Sequence, residues 1–572
     1  MSNSYDVAIV GGGPAGSTLG SLLRKYDPSK KVVILEREKF PRDHVGESQL
    51  PPISHILDEM GCWDKVEAAN FPIKIGATYR WGKSKDLWDF EFLPGAMFND
   101  QERPAKFEGQ RRHTAFQVDR ATYDKILLDH AAELGCEVRE ETRVTEVLKE
   151  GDRILGFKLS DGSVVEANHY VDASGSAGIM RRSMGVEADE PAQLRNIAIW
   201  DYWENAEWAV KIGVGGTRVN VMSLGYGWLW FIPLGPTRTS IGLIVPADHY
   251  KSLGKSPEQL YLDAIAEEPL ISQLVSNAKR EMNLQATKDW SFVCERMAGE
   301  NWFLVGECAG FADPILAAGM TLAQSGAREL AFSILEIDRG KHEAQWVKDQ
   351  YQTRQQKRIS QHIRFANYWY TANGIFTDLQ AYTAEIAKDE GFVLDAKKAW
   401  QWFGTGAFIT EEDDFATYGG FTLDQVKVMH GLMTEHWPEW ELSKHNEFKL
   451  NLGGAMKKTS ATYSGGEIKP VACYIRNNQA LPLTGYFALL VHVLNQERDA
   501  DKIMRMLMPL LQKAGMGRNL NDAVHKAMQS LEGMLLDGWV VGSFNKKRPP
   551  FQLATYRETN VIHANRDIAV PV

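Results

Sequence analysis

A glycine turn and a distant acid carry the clearest chemistry in this chain. Val7-Ala8-Ile9-Val10 is an apolar run, followed at once by Gly11-Gly12-Gly13-Pro14-Ala15-Gly16. A helical stretch and a second apolar run, Val32-Val33-Ile34-Leu35, lead to Glu36. In a strand–turn–helix–strand unit, Gly11 permits the tight turn and Gly13 lets backbone approach a pyrophosphate. Gly16 lets the helix pack on the strand, and Glu36 accepts ribose hydroxyls. The free N–H groups at the helix start complement phosphate charge. Farther along, Trp228 and Trp230 in Gly227-Trp228-Leu229-Trp230-Phe231-Ile232-Pro233 share one face of a period-two strand. Lys74, flanked by Ile73 and Ile75, reads on pattern alone as an outward residue of an edge strand. The five cysteines are scattered, with no C-x-x-C pair, so they read as buried reduced thiols and no metal site is expected.

These groups need a large scaffold. At 572 residues the chain is long enough for two or three domains. Residues 1–40 form the βαβ unit, 120–135 a helix, and 153–165 a hairpin turning at Asp161-Gly162. Strands are expected at 169–175, across 192–246 and at 302–306, and helices at about 322–335 and 341–372. Three amphipathic helices are expected within 485–538, the last capped by Asn521. The expected division lies near residue 380: a nucleotide-binding domain over 1–380, with substrate-sheet segments at about 70–115 and 190–290, then a mostly helical domain over 381–572. The net charge of −10 and a pI near 5.9 argue against nucleic acid as a partner. No apolar run approaches the roughly 18 residues of a membrane span, and the N-terminus lacks a basic leader, so a cytoplasmic protein that does not bind membranes is expected.

Further segments extend the pattern. Val118-Asp119-Arg120 opens a helix, Val171-Asp172-Ala173-Ser174-Gly175 ends a strand, and Gly306-Glu307-Cys308-Ala309-Gly310-Phe311-Ala312-Asp313-Pro314 follows another. With the glycine turn they resemble the FAD monooxygenases of the hydroxybenzoate-hydroxylase type, an α/β fold with a Rossmann-type FAD-binding sheet and an inserted antiparallel substrate sheet. Glu307 stands where that family usually has Asp. The W-x-W-x-I-P sequence of Trp228, Trp230, Ile232 and Pro233, together with Lys74 in its K-x-G-x-x-x-x-W-G context, resembles the flavin-dependent halogenases. Within them the chain looks most like the chloramphenicol type, which acts on carrier-protein-bound substrates. Tryptophan halogenases carry D-P-x-E-S-T-G, whereas this chain has Leu316 in place of that Glu, which argues against free tryptophan.

The resemblance implies FAD, used as FADH2, held by Gly11, Gly13, Ala15, Gly16, Glu36, Arg37, Arg120, Asp172, Gly306, Asp313, Gly319 and Met320. It implies O2 and chloride or bromide as co-substrates, the halide resting on the backbone of Ala318 and Gly319. Hypohalous acid then passes down a tunnel walled by the two Trp to Lys74, the catalytic residue of an antibiotic-type biosynthetic halogenation. Some relatives bond the flavin to an Asp, and Asp289 lies in the corresponding region. With no second nucleotide motif, a separate flavin reductase is implied, and so is an acyl or peptidyl carrier protein. Lys546-Lys547-Arg548 is one basic patch suited to an acidic carrier. A geranylgeranyl-type flavin reductase, an FAD hydroxylase and a non-enzymatic flavin scaffold are the competing readings.

Overall fold

The computed structural model describes residues 5–82, 86–99, 101–190, 195–208, 216–372, 417–418, 421–477, 479–554 and 556–565. The expected boundary near residue 380 lies outside them.

The first apolar runs build a five-stranded sheet in the order Trp302–Leu304, Ala167–Asp172, Tyr5–Val10, Val32–Leu35, Glu137–Arg139. All of its pairs are parallel, and its central strands are buried on both faces, which explains their continuous rather than alternating apolar residues. Helices Pro14–Tyr26 and Gly319–Arg339 pack together beside it.

The second sheet has ten strands. Along its path lie Lys279–Arg280, Arg195–Glu204, Arg238–Pro246, Trp228–Pro233, Gly216–Ser223, Ile73–Arg80, Trp88–Glu91 and Ile562–Ala564, with Gln285–Trp290 and Ala115–Phe116 paired off it. All but Ile562–Ala564 fall in the stretches expected near 70–115 and 190–290. The strand bearing Lys74 is therefore interior, paired parallel to Gly216–Ser223 on one side and antiparallel to Trp88–Glu91 on the other. That overturns the edge-strand reading of Lys74. Along Trp228–Pro233 the faces alternate as expected. Trp228, Trp230 and Ile232 join the main core, while Leu229 and Phe231 pack under helices Pro257–Glu267 and Pro269–Leu274.

The polar-to-aromatic helix runs Ala344–Ala372 and feeds Phe365, Trp369 and Tyr370 into the core. Beyond it, helices Gly485–Leu494, Ala500–Ala514 and Leu520–Leu536 surround a second core, as expected. The cap of the last is Asn519, not Asn521: its Oδ1 accepts the Asp522 N–H at 3.0 Å. The C-terminal part also contains strands that helical periodicity did not reveal. The hairpin Met456–Ser464/Glu467–Arg476 lies against the nucleotide-binding unit, where Arg339 donates to the Gly466 carbonyl at 2.6 Å. The strand Ile562–Ala564 completes the large sheet. All five cysteines are free and buried.

Candidate active site

At the nucleotide end, two glycines are demanded by the fold itself. Gly11 has φ +105°, and a Cβ there would stand 2.3 Å from the Ala173 carbonyl oxygen. A Cβ on Gly16 would stand 2.0 Å from the Gly11 oxygen. Gly13 differs: its added Cβ would meet only Arg42, at 3.6 Å, so packing does not demand glycine there. Ala15 faces Gly306, whose φ is +72° and whose added Cβ would lie 3.1 Å from that of Ala15. The buried Glu36 accepts the Gly12 N–H at 2.7 Å, orienting its carboxylate beside the turn.

Several expected cofactor contacts prove to have other work. Arg37 lies at the surface beside Glu38, 3.2 Å away. Arg120 is buried, donating to Asp124 at 2.8 and 2.9 Å and to the carbonyls of Val45 and Gly46 at 2.8 and 3.1 Å, so it pins the 45–46 loop. Asp172 accepts from the N–H groups of Ser174, Met180 and Arg181, at 3.0, 2.8 and 3.2 Å, and from the Ser174 hydroxyl at 2.6 Å. Its carboxylate shapes the turn after the strand rather than facing an open site. Arg42, 3.3 Å from Asp124 and beside Gly13, is a cation at the glycine turn that motif reading missed. Glu307 is held above the ordinary carboxylate range by burial, against the pull of Arg120 and Arg181.

Asp313 likewise turns inward. It accepts from Asn196 Nδ2 at 3.0 Å, from the Ile315 N–H at 2.9 Å, and from the Tyr370 hydroxyl at 3.1 and 2.9 Å. Burial pushes its carboxyl up to about 6. The Tyr370 oxygen accepts the indole N–H of Trp228 at 2.7 Å. One hydrogen-bonded chain thus joins the first Trp of the motif to the Gly306–Pro314 segment, through a tyrosine from the helix Ala344–Ala372. Nothing in that helix's polar first half signals this role. Trp228 also lies 6.1 Å from Trp230 and 6.3 Å from Trp81, and Trp81 donates to the Trp369 carbonyl at 2.7 Å. Trp230 donates to Ser240 Oγ at 3.1 Å. Ile232 and Pro233 are buried at the strand end.

The turn before helix Gly319–Arg339 holds Ala317 at φ +53°, a left-handed conformation costly for a residue with a Cβ. Gly319 faces open space, while Ala318, Met320 and Leu316 are buried. Asp289 lies opposite Asn196 in strand register, next to the residue that reaches Asp313; its side chain is outside the described residues. Buried polar atoms without partners cluster along these elements: Asn196 Oδ1, Ser291 Oγ, Thr321 Oγ1 and Glu47 Oε2. Such atoms are rarely left unsatisfied in folded proteins, and with the glycine cradle they fit an FAD molecule.

Lys74 is only 2% exposed. The Phe92 ring lies 5.3 Å from its Nζ. Burial, without any opposing carboxylate, pulls its ammonium down to about 7.

Comparison with known proteins agrees. The FAD binding domain family model matches residues 4–366. The chain is 30% identical over 390 residues to a 1H-pyrrole-2-carbonyl-[peptidyl-carrier protein] chlorinase of Pseudomonas fluorescens, covering 66% of this chain and 85% of that protein. It is 32% identical to a tryptophan 2-halogenase of Chondromyces crocatus, covering 59% of this chain and 63% of that protein. Among solved structures, the flavin-dependent halogenase CmlS aligns with a TM-score of 0.72 at 24% identity, over 96% of this chain and 98% of that one, a likeness of fold. The chondrochloren halogenase CndH aligns at 0.58 and 28% identity, over 76% of this chain and 97% of that one. The chain belongs to the FAD-binding flavin-dependent halogenases. It is an enzyme of the flavin oxidoreductase type, and the reductase alternative is not favoured. Among the described residues no helix is long and apolar enough to cross a membrane.

Proposed function

We propose that this halogenase works on an acyl or aromatic group tethered to a carrier protein, with Lys74 as the catalytic residue and a separate reductase delivering reduced flavin. The single observation behind this reading is the buried amine of Lys74, held near 7 with no counter-charge. When bound and reduced, FAD supplies hypohalous acid from O2 and halide.

At about 7 both forms of Lys74 are populated at neutral pH. The ammonium form donates a hydrogen bond to the oxygen of hypohalous acid, improving it as a leaving group. The amine form displaces that oxygen as water, giving a haloamine that returns to amine when the halogen passes to substrate carbon. Trp228 and Trp230, fixed through Tyr370 and Ser240, wall the passage and exclude water. The N–H groups of Ala318 and Gly319, at a helix start beside the unpartnered Thr321 hydroxyl, suit a halide. Asp289 remains the residue we assign to covalent flavin attachment, and the catalytic unit extends to about residue 380.

The carrier assignment rests on the pyrrole chlorinase relative and on Leu316, a core residue where tryptophan halogenases have a carboxylate. In the basic patch, Arg548 is engaged by Glu447 and Asp499 at 3.0 and 2.5 Å, leaving Lys546 and Lys547 exposed toward a carrier. The test is mass spectrometry of products from FADH2, O2, halide and a panel of free and carrier-loaded acyl groups. A halide-dependent mass gain on a carrier-loaded group is expected; a free small aromatic turning over faster than every loaded form refutes the carrier reading.

A further inference from the structure

Beside Lys74 lies a set of buried polar groups that the halogenation chemistry above does not use. The strand pairing places them. Lys74 is opposite Ala115. Gln117 is two residues farther on, and its N–H donates to the Pro72 carbonyl at 2.9 Å, so Ala115 and Gln117 face the same side as Lys74. Gln117 in turn is bridged antiparallel to Ser48. The flanking bonds, Gln49 N–H to the Phe116 carbonyl at 3.1 Å and Val118 N–H to the Glu47 carbonyl at 2.8 Å, make Ser48 and Gln117 a non-hydrogen-bonded pair. In such a pair the two side chains lie closest together, on one face. Lys74, Gln117 and Ser48 therefore share a face of a three-strand patch.

All three are buried. Among the described residues, the Gln117 amide nitrogen and oxygen and the Ser48 hydroxyl have no hydrogen-bond partner. Three such atoms in one small patch are costly unless a ligand satisfies them. The patch contains no carboxylate, and its one cation loses its proton near neutrality. It is therefore ill suited to a zwitterion or any charged substrate head, which would need a counter-charge when desolvated.

Building on the halogenase reading, we infer that Ser48 and Gln117 form a substrate subsite that takes the O–H or N–H group of an uncharged, electron-rich ring and presents a ring carbon to Lys74. The Gln117 carbonyl accepts the ring's O–H or N–H, and the Ser48 hydroxyl donates to the same heteroatom or to an adjacent carbonyl. A shared proton raises electron density on the ring carbons, which electrophilic halogenation requires. The halogen replaces a ring hydrogen, and that proton leaves with the hypohalous oxygen as water.

The test uses the full-length, FAD-loaded protein without reductant or halide, with phenol and its methyl ether anisole as probes. Phenol is expected to give saturation-transfer NMR contacts and to raise the unfolding midpoint, and anisole to do neither. Gln117→Leu is expected to weaken phenol binding by about tenfold, the scale of one buried hydrogen bond, and to remove the preference for phenol over anisole. In the ligand-free protein it is expected to raise the unfolding midpoint, because two unsatisfied polar atoms are removed at similar volume. Ser48→Ala is expected to act in the same direction with a smaller change. Equal binding of phenol and anisole by the wild type overturns the inference. So does a lowered midpoint in ligand-free Gln117→Leu, or loss of FAD from that variant, which would assign the amide to packing or to the flavin. A separate assay of the wild type with FADH2, O2, halide and the panel of free and carrier-loaded acyl groups reports halogenated product by mass spectrometry. Failure there sinks the halogenase reading itself, whatever the probes show.

Discussion

Lys74 and Arg218 are buried cations on neighbouring strands, and their surroundings differ in every respect. Arg218 follows Thr217, the residue in register with Lys74. Its guanidinium lies 3.4 Å from Asp89 and in closer contact with Glu91. Asp89 also accepts from the Thr78 hydroxyl at 2.6 Å and from Asn565 at 2.9 and 2.8 Å. Glu91 accepts the Gly95 N–H at 2.7 Å, with His563 3.6 Å away. Burial pushes Glu91 up, but His563 and Arg218 pull it further down, and it ends below the ordinary value; at Asp89 burial prevails. Lys74 has the Phe92 ring 5.3 Å from its Nζ and, among the described residues, no carboxylate against it. A buried cation kept for architecture is surrounded by acceptors because unpaired charge is expensive. One kept for chemistry can be left alone, so that its proton becomes labile at working pH.

The contrast breaks most visibly at Lys74. Lys74→Ala should lower carbon–halogen bond formation by about 100-fold or more, the scale of lost proton-transfer or nucleophilic assistance. FAD binding, followed by flavin fluorescence, should persist, and hypohalous acid should escape to monochlorodimedone. Arg in its place should fail as well, since guanidinium stays protonated. Lys74→Met should also raise the unfolding midpoint at pH 7. The native amine titrates near 7 and the unfolded one near 10.5. Wild-type stability therefore climbs with pH between those values, because the unfolded chain binds more protons, and the Met advantage should shrink over that window. A flat difference from pH 7 to 10.5 would show that Lys74 is solvated.

At Arg218 the sign reverses. Arg218→Met should destabilise by about 3–5 kcal/mol, because Asp89 and Glu91 lose their cation inside the sheet. Denaturant unfolding checks this, and a loss under about 1 kcal/mol would mean that the carboxylates find other partners.

Between these extremes stands Tyr370, whose hydroxyl bridges Trp228 and Asp313. Tyr370→Phe keeps the ring 6.0 Å from Trp81 but should cost about 1 kcal/mol of stability for the lost bonds. It should shift product from halogenated substrate toward trapped hypohalous acid. An unchanged partition would reduce Tyr370 to packing.

The smallest effect is expected at His563. The Glu91 contact raises its pKa above the ordinary histidine value. Its contribution is present in full below pH 6.5 and fades as pH rises through the raised value. His563→Gln should therefore lower stability by a few tenths of a kcal/mol at pH 6, the scale of a partly exposed ion pair, and by nothing measurable at pH 8.5.

How much of this was legible depended on the range of the forces involved. The steric need for glycine at 11 and 16 was readable because backbone sterics act over a few residues, and the close contacts there show it. Glu36 lies beside the same turn, accepting the Gly12 N–H. The shared face of Trp228 and Trp230 followed from strand period alone. Asp172, Arg120 and Asp313 stand in the segments expected to hold the cofactor, but their carboxylates and guanidinium are engaged by local turns, by Asp124 and by Tyr370. A motif gives position; only neighbours show which hydrogen bonds are already made. Tyr370, Trp369 and Arg42 were missed because each reaches the site from an element whose own pattern is unremarkable. Asn519 replaced Asn521 as a cap because helix ends shift by a residue or two with local geometry.

The order of residues by itself determined that a strand, a glycine turn and a helix would cradle a dinucleotide, and that two tryptophans would share one side of a strand. Those outcomes rest on φ/ψ limits and on period, both local. The chemistry of Lys74 was decided elsewhere. Ile-Lys-Ile reads identically on an exposed edge and in a sheet interior. Its pKa falls because Gly216–Ser223, more than a hundred residues away, pairs on one side and Ala115–Phe116 on the other. Desolvation depends on every atom that displaces water around a group, and that is a property of the folded chain rather than of its neighbours in sequence.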